Sequence, residues 1–366
     1  MQTISINNSR LFGITAFLVS LSIILALLIL AKSFLIPLAW SLVIGLASFR
    51  MLNRMEKKFK INRFISSLIF IALILLGIVV LFYFFYREIV SIINGIPSFS
   101  TNLTESIQNL LASLERHGIQ APLIDQMQIH NWVSEHSDTI SRALASFGKS
   151  MGNIFLIAVY LFFILYYRDN YLYFLKLKEK SDKAYLEAKE KAKEVAGVIS
   201  GFLYGLFAVT LILSVMLYVI FLIIGLKFAL FFAVLVALLA LIPYIGNPIG
   251  MAVVFLYAVV SSDGLMLPLL SLAGIIITNT LKSYIFKPII IGNKISVNAF
   301  AIFLSVITGG LIWGVSGMIL FMPFAGIARV LLDYNDSTRP FTALFATLPK
   351  GILHQSGSSK TDEDQG

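Results

Sequence analysis

The sequence contains no cysteine and only four histidines, at positions 117, 130, 136 and 354. The absence of cysteine excludes disulfide bonds, thiolate metal sites, iron–sulfur clusters and a cysteine nucleophile. None of the histidines lies in an apolar run, so neither haem nor zinc is expected within the apolar part of the chain. We therefore predict a protein without cofactor or metal, and without catalytic residues.

Charged residues are also scarce, at 13% of the chain, whereas hydrophobic residues make up 58%. Soluble domains carry about 25% charged residues, and the mean hydropathy here is +0.89, which excludes an ordinary cytosolic enzyme. The apolar runs are long enough for helices that cross a bilayer. The sequence predicts an all-α polytopic membrane protein of about eight transmembrane helices, with broken or re-entrant segments in the C-terminal half and a small external helical segment.

The net charge of +9 comes from basic residues in short segments between apolar runs. This is the orientation pattern of membrane proteins, so a lipid bilayer is the expected surrounding and nucleic acid is not an expected partner. The most basic of these segments, residues 50–63, is predicted to be a cytoplasmic loop. We predict that both chain ends are cytoplasmic as well.

Changes in composition divide the chain into five parts. Basic and acidic residues of 168–196 form helical i, i+4 pairs, which predicts a charged cytoplasmic helix that runs on into the next span. The predicted parts are an N-terminal three-span bundle (1–86), an external helical segment (87–150), a fourth span with the charged helix (151–196), a broken core (197–335) and a disordered cytoplasmic tail (336–366).

Glycine and proline interrupt the apolar segments of the core at 242–250, 287–293, 308–314 and 322–326. Broken helices leave backbone groups that lipid cannot satisfy, so they persist only where protein buries them or where they line a cavity. Transporters build solute sites from such breaks. Kinked packing helices are the structural alternative. The run 300–332 is predicted to be a re-entrant or crossing hairpin that turns at Gly309–Gly310 or nearby.

The residues at these breaks are predicted to line a pathway for a small polar solute. Glycines and prolines would shape the cavity, and Asn279 and Thr280 would contact the solute. Asp263 is the only acidic residue between 197 and 328, which makes it the candidate for ion coupling. The predicted pathway residues are Pro243, Tyr244, Gly246, Asn247, Pro248, Asn279, Thr280, Lys282, Pro288, Gly292, Gly309, Gly310, Gly314 and Pro323.

A separate stripe of glycines, Gly197, Gly201 and Gly205, recurs every four residues at the start of the core. Small residues at this spacing let two helices approach closely. We predict helix packing within the chain at this stripe, with a contact between subunits as the alternative.

The breaks in the core resemble those of the autoinducer-2 exporter family of bacterial membrane transporters. The resemblance covers residues 10–335. It rests on IPYIGNPIG at 242–250, on Pro288 followed by Gly292, and on the glycines of 309–317 with the later Pro323.

This resemblance implies a homo-oligomer in the bacterial inner membrane that exports the quorum-sensing furanone autoinducer-2. Some members of the family are assigned instead to sodium or lithium/proton antiport, which is the alternative function. Members often carry an acidic residue a short distance before the proline that corresponds to Pro288. Lys282 occupies that position here, which argues against cation coupling through it.

Overall fold

The fold is described from a computed structural model, which covers residues 8–95, 152–179, 181–262, 264–286, 297–334 and 337–345. Helices account for nearly all of these residues, as the sequence predicts. Most of the predicted external segment, from residue 96 onward, lies outside the described residues. So do Asp263, Pro288, Gly292 and residues 346–366.

The first three helices follow each other closely. They are α1 (Asn8–Leu30), α2 (Lys32–Phe59) and α3 (Arg63–Gly95). The basic segment predicted as a loop from residue 50 instead forms the last turns of α2, because its Arg, Lys, Met, Leu and Glu residues are strong helix formers. The turn itself is short and begins at Lys60, which has a left-handed φ of 52°. Helix α3 continues to residue 95, beyond the predicted boundary at 86.

The next two helices, α4 (Gly152–Tyr166) and α5 (Arg168–Lys178), meet at a bend of 59°. At this bend the guanidinium of Arg168 forms an ion pair with Glu56 of α2, and Glu56 also accepts a hydrogen bond from Ser66 of α3. Three helices are thereby joined at the α2–α3 turn. We call this the basic end of the protein, because Lys57, Lys58, Lys60, Arg63 and Arg168 gather there.

Helix α6 (Asp182–Ile223) is 42 residues long. The Ser181 hydroxyl caps its start by accepting a hydrogen bond from the Ala184 backbone N–H at 3.2 Å. Its first part is charged and the rest is apolar, so the predicted charged helix does continue into the next apolar segment as one element. The far end of α6 lies away from the basic end.

Two short helices follow α6 and form a hairpin. Helix α7 (Ala229–Leu239) has 11 residues and helix α8 (Gly246–Ser261) has 16. At 1.5 Å per residue α7 is only about 16 Å long, roughly half the thickness of a bilayer core. We call α7, the turn 240–245 and α8 the first hairpin. Its open end packs against Phe84, Phe85 and Ile92 of α3, at the end of the protein opposite the basic end.

Helix α9 (Met266–Leu281) comes after a short connection and ends in a π-helical turn, Lys282–Phe286. The last long element, α10 (Ala299–Leu332), contains Gly314 with non-helical angles, φ 61° and ψ −141°. Gly309 and Gly317 contact each other across this point, although an unbroken helix would separate them by about 12 Å. The chain therefore reverses at Gly314, and α10 is a hairpin of two arms, 299–313 and 315–332.

We call α10 the second hairpin. The structure confirms the predicted hairpin and places its turn at Gly314 rather than at Gly309–Gly310. Its open end lies at the basic end, because Asp333 comes within 4.0 Å of Lys191 in the charged part of α6.

The tail predicted to be disordered from residue 336 includes a helix, α11 (Arg339–Phe345). It packs on the second hairpin because the backbone and side-chain N–H groups of Asn298 donate to the carbonyls of Phe345 and Leu344, both at 2.7 Å.

Among the described residues, five helical segments are long and apolar enough to cross a membrane, or six when α4 and α5 count as one bent span. This count, taken over the described residues, differs somewhat from the predicted number of about eight, because the apolar runs at 228–242 and 249–262 fold as the two short arms of the first hairpin. One of the five, α10, reverses at Gly314. The long helix α3 exposes large apolar side chains along most of its length, as expected for contact with lipid.

Candidate functional site

The turn of the first hairpin is tight and depends on two unusual backbone positions. Tyr244 has a left-handed φ of 64°. Gly246 lies so close to the end of α7 that a Cβ atom would overlap the Leu239 carbonyl group, so only glycine fits there. Pro248 falls in the first turn of α8, where a missing N–H disturbs no helical hydrogen bond. Pro243, Tyr244, Gly246, Asn247 and Pro248 therefore form one compact structure.

Asn247 and Asn279 lie at the same end of two antiparallel helices, α8 and α9, which a short connection joins at the other end. The Oδ1 atom of each is buried and has no hydrogen-bond partner among the described residues. A buried polar atom without a partner costs about 1–3 kcal/mol. Two such atoms at the same end of one helix pair indicate a site that a ligand would complete.

The end of α9 beside Asn279 departs from regular helix. It passes into the π-helical turn that begins at Lys282, and such turns often occur at functional sites. The Thr280 hydroxyl, predicted to contact solute, donates to the Ile276 carbonyl of its own helix at 2.8 Å. Thr278 likewise donates to the Gly274 carbonyl at 2.8 Å. Both threonine hydroxyls thus have a partner, whereas the buried Oδ1 atom of Asn279 has none among the described residues.

The two hairpins contact each other through an aromatic pair. The rings of Tyr244, in the turn of the first hairpin, and Phe303, in the first arm of the second, pack edge to face with centroids 5.6 Å apart. The first hairpin extends inward from one end of the protein and the second from the basic end. At 1.5 Å per residue α7 is about 16 Å long and α8 about 24 Å, whereas the two arms of the second hairpin are about 23 Å and 27 Å long, most of the thickness of a bilayer core.

The turn of the second hairpin is held by Trp313. Its indole N–H donates to the Leu28 carbonyl of α1 at 3.0 Å, and its ring packs against Phe321 at 5.5 Å. Trp313 and Leu320 share an apolar cluster with Val43 of α2 and Ile199 of α6. The hairpin is thereby fixed against the N-terminal helices.

The predicted pathway residues fall into two groups among the described residues. One group surrounds the first hairpin turn and the π-helical turn, and the other lies on the second hairpin, where Gly309 and Pro323 are buried. Tyr244 of the first group contacts Phe303, which lies six residues before Gly309 on the first arm of the second hairpin. The described residues hold no group of three or more His, Asp or Glu that could bind a metal ion.

Sequence reasoning missed a second feature, a cleft of about 480 Å³ between α2 and α6. A usable signal was present, because Arg50 and Arg54 are four residues apart on one helix and therefore share a face. The cleft also involves two members of the glycine stripe, Gly197 and Gly201. A Cβ atom on Gly197 would meet nothing within 4 Å, so its predicted helix packing has no partner among the described residues, and subunit contact stays a prediction. The lining residues are Ala47, Arg50, Met51, Arg54, Gly197, Ser200, Gly201 and Tyr204.

Helices that are broken within an apolar core and leave polar groups unsatisfied beside the break are an arrangement by which membrane transporters build solute sites. The family described as AI-2E family transporter matches residues 18–335 of the chain. The chain belongs to this family.

Membership establishes a multi-pass membrane transporter rather than an enzyme. A comparison with curated proteins gave no match. For an AI-2E family transporter, the turn of the first hairpin, where Tyr244 contacts the first arm of the second hairpin, is the place where a solute site is expected. Irregular backbone at membrane depth lines cavities in transporters.

Proposed function

We propose that this AI-2E family transporter exports a small polar signalling molecule, with the furanone autoinducer-2 as the first candidate. The observation that carries the proposal is the pair of buried, unpartnered Oδ1 atoms on Asn247 and Asn279. Both atoms are hydrogen-bond acceptors. A hydroxylated solute would supply O–H donors to both and remove the cost of burying them unpaired.

Export of a neutral or weakly anionic solute agrees with the charges near the turns. The stretches 240–250 and 278–286 contain no Asp or Glu, whereas a carrier of sodium or protons ordinarily uses a carboxylate in the membrane. Monovalent cation/proton antiport is therefore the less supported function, and Asp263 would be the residue to test for it.

The orientation is part of the proposal. Basic loops face the cytoplasm in most inner-membrane proteins, so the basic end would be cytoplasmic. Helix α2 ends at the basic end, and α11 lies beside the second hairpin, whose open end is also there. The described C-terminal end would then be cytoplasmic, and a cytoplasmic N-terminus remains a prediction. The homo-oligomer predicted from the family resemblance remains a prediction.

The test uses purified protein in liposomes preloaded with autoinducer-2. We expect efflux above that of protein-free liposomes, and we expect N247L/N279L to lose it while the protein still inserts. S271A is the matched control, because the Ser271 hydroxyl on α9 donates to the Leu267 carbonyl of its own helix at 2.8 Å and has no other hydrogen bond among the described residues.

Each alternative result has a defined meaning. If N247L/N279L exports at the wild-type rate, the asparagine site is wrong. If the wild type releases no autoinducer-2 but moves protons after a sodium pulse, the antiport function replaces export.

A further inference from the structure

We infer that the cleft between α2 and α6 binds the phosphate group of an anionic phospholipid. The cleft contains two guanidinium groups, from Arg50 and Arg54. Among the described residues neither arginine takes part in an ion pair, whereas Arg63, Arg87, Arg168 and Arg339 all do. Two unpaired guanidinium groups on one wall of a cleft favour an anion, and guanidinium groups bind phosphate through paired N–H donors.

The opposite wall of the cleft leaves room for such a group. Gly197 and Gly201 have no side chains, and a Cβ on Gly197 would enter open space. The Tyr204 hydroxyl donates to the Ala47 carbonyl at 3.3 Å, and Ser200 donates to the Gly197 carbonyl at 3.2 Å. Both hydroxyls thus hold the wall in place, and the arginines are the donors left for a ligand.

The position of the cleft along α6 favours a lipid over a free anion. It lies where α6 changes from its charged first part to its apolar remainder, which is the level of lipid headgroups. An exposed apolar stripe continues from the cleft along the same face of α6, at helical spacing. The side chains of this stripe are between 54% and 71% exposed, and they are Tyr204, Phe207, Leu211 and Val215.

A phospholipid matches both features at once, because its phosphate would contact the arginines while an acyl chain would lie along the apolar stripe. A free phosphate or a phosphorylated solute would use the arginines only and would leave the stripe uncovered. The cleft is separate from the asparagine site, so the proposed export function can fail without affecting this inference.

Native mass spectrometry of the purified protein in detergent tests the inference. The probes are phosphatidylglycerol, phosphatidylcholine with the same acyl chains, and inorganic phosphate. We expect the protein to retain phosphatidylglycerol in preference to phosphatidylcholine. The variant R50A/R54A should weaken this binding about tenfold or more, given the usual contribution of a basic residue near an anionic membrane surface.

The matched control is K57A/K58A, which removes the same charge from exposed positions of α2 that do not line the cleft. We expect it to bind phosphatidylglycerol like the wild type. A second variant, G197L, keeps both arginines and fills open space, so it should fold and yet lose binding.

Equal lipid binding by R50A/R54A and K57A/K58A would overturn the inference. Wild-type binding by G197L would overturn the assignment to the cleft. If inorganic phosphate displaces phosphatidylglycerol and the two lipids bind equally well, the site belongs to a free phosphate-bearing solute and the lipid assignment is wrong.

Discussion

Gly309 and Gly317 face each other across the second hairpin so closely that a Cβ atom on either residue would overlap the carbonyl group of the other. The contact is between backbones, which cannot move apart without separating the arms. Both residues are buried. The adjacent Gly310 is different, since a Cβ there would approach only the Met318 side chain, at 2.8 Å from its terminal methyl group.

The first prediction compares these neighbouring glycines by thermal unfolding in detergent. We expect G309A to lower the free energy of unfolding by about 1–3 kcal/mol, the usual cost of overpacking. G310A should unfold near the wild-type temperature, because a methionine end is flexible enough to move aside. Equal unfolding temperatures for the two variants would contradict the close contact of the two arms.

The second prediction concerns Gly246 at the turn of the first hairpin. G246A should destabilise the protein and abolish transport together, because its methyl group would meet the Leu239 carbonyl and push α7 away from α8. G264A, at a loop position where a Cβ would meet nothing within 4 Å, should be unaffected. Unfolding temperature and flux are measured on the same preparations, and a stable but inactive G246A would assign this glycine to the pathway alone.

The third prediction separates stability from transport at Asn279. Replacing it with leucine removes a buried acceptor that has no partner among the described residues, so the free energy of unfolding should stay the same or rise slightly. Flux should nevertheless fall, because the acceptor for the solute is gone. A loss of stability in N279L equal to its loss of flux would show that the asparagine has a structural role instead.

The fourth prediction concerns the ion pair between Arg168 and Glu56. Their side chains are only 3% and 13% exposed. R168M should lower the free energy of unfolding by about 3–5 kcal/mol, since it leaves a largely buried carboxylate unpaired. E56Q/R168M should recover part of this loss.

The control for the ion pair is R87M. Arg87 pairs with Glu88 at 2.8 Å, but its side chain is 67% exposed, so we expect no measurable change in unfolding temperature. If E56Q/R168M is as unstable as R168M, Arg168 stabilises the protein through packing rather than through its charge.

The apolar pattern was sufficient to predict a helical membrane protein with a hairpin in residues 300–332. It could not distinguish the roles of neighbouring glycines in that hairpin. Gly314 is required for a positive φ of 61°, whereas Gly309 is required for close contact with Gly317. Both roles select the same residue type, so the sequence alone located the turn only as Gly309–Gly310 or nearby.

Two other misses have a common physical cause. Residues 228–242 are as apolar as a transmembrane helix, and their hydropathy does not show that α7 ends after 11 residues. The tight turn at Tyr244 and Gly246 and the packing against α6 and α3 determine that end. In the sequence, Arg50 and Arg54 fit a solvated basic loop. The structure places both on helix α2, which continues to Phe59. Hydropathy reports the surroundings of a segment, but it does not report which segments face one another.

The turn of the first hairpin has an electrical consequence. A membrane voltage acts on charges that move through the bilayer, and it amounts to about 2.3 kcal/mol per elementary charge for each 100 mV. Residues 240–250, which include this turn, contain no charged side chain. A movement of the turn would therefore carry no fixed charge through the field, and the voltage would act there only on a charged solute or ion.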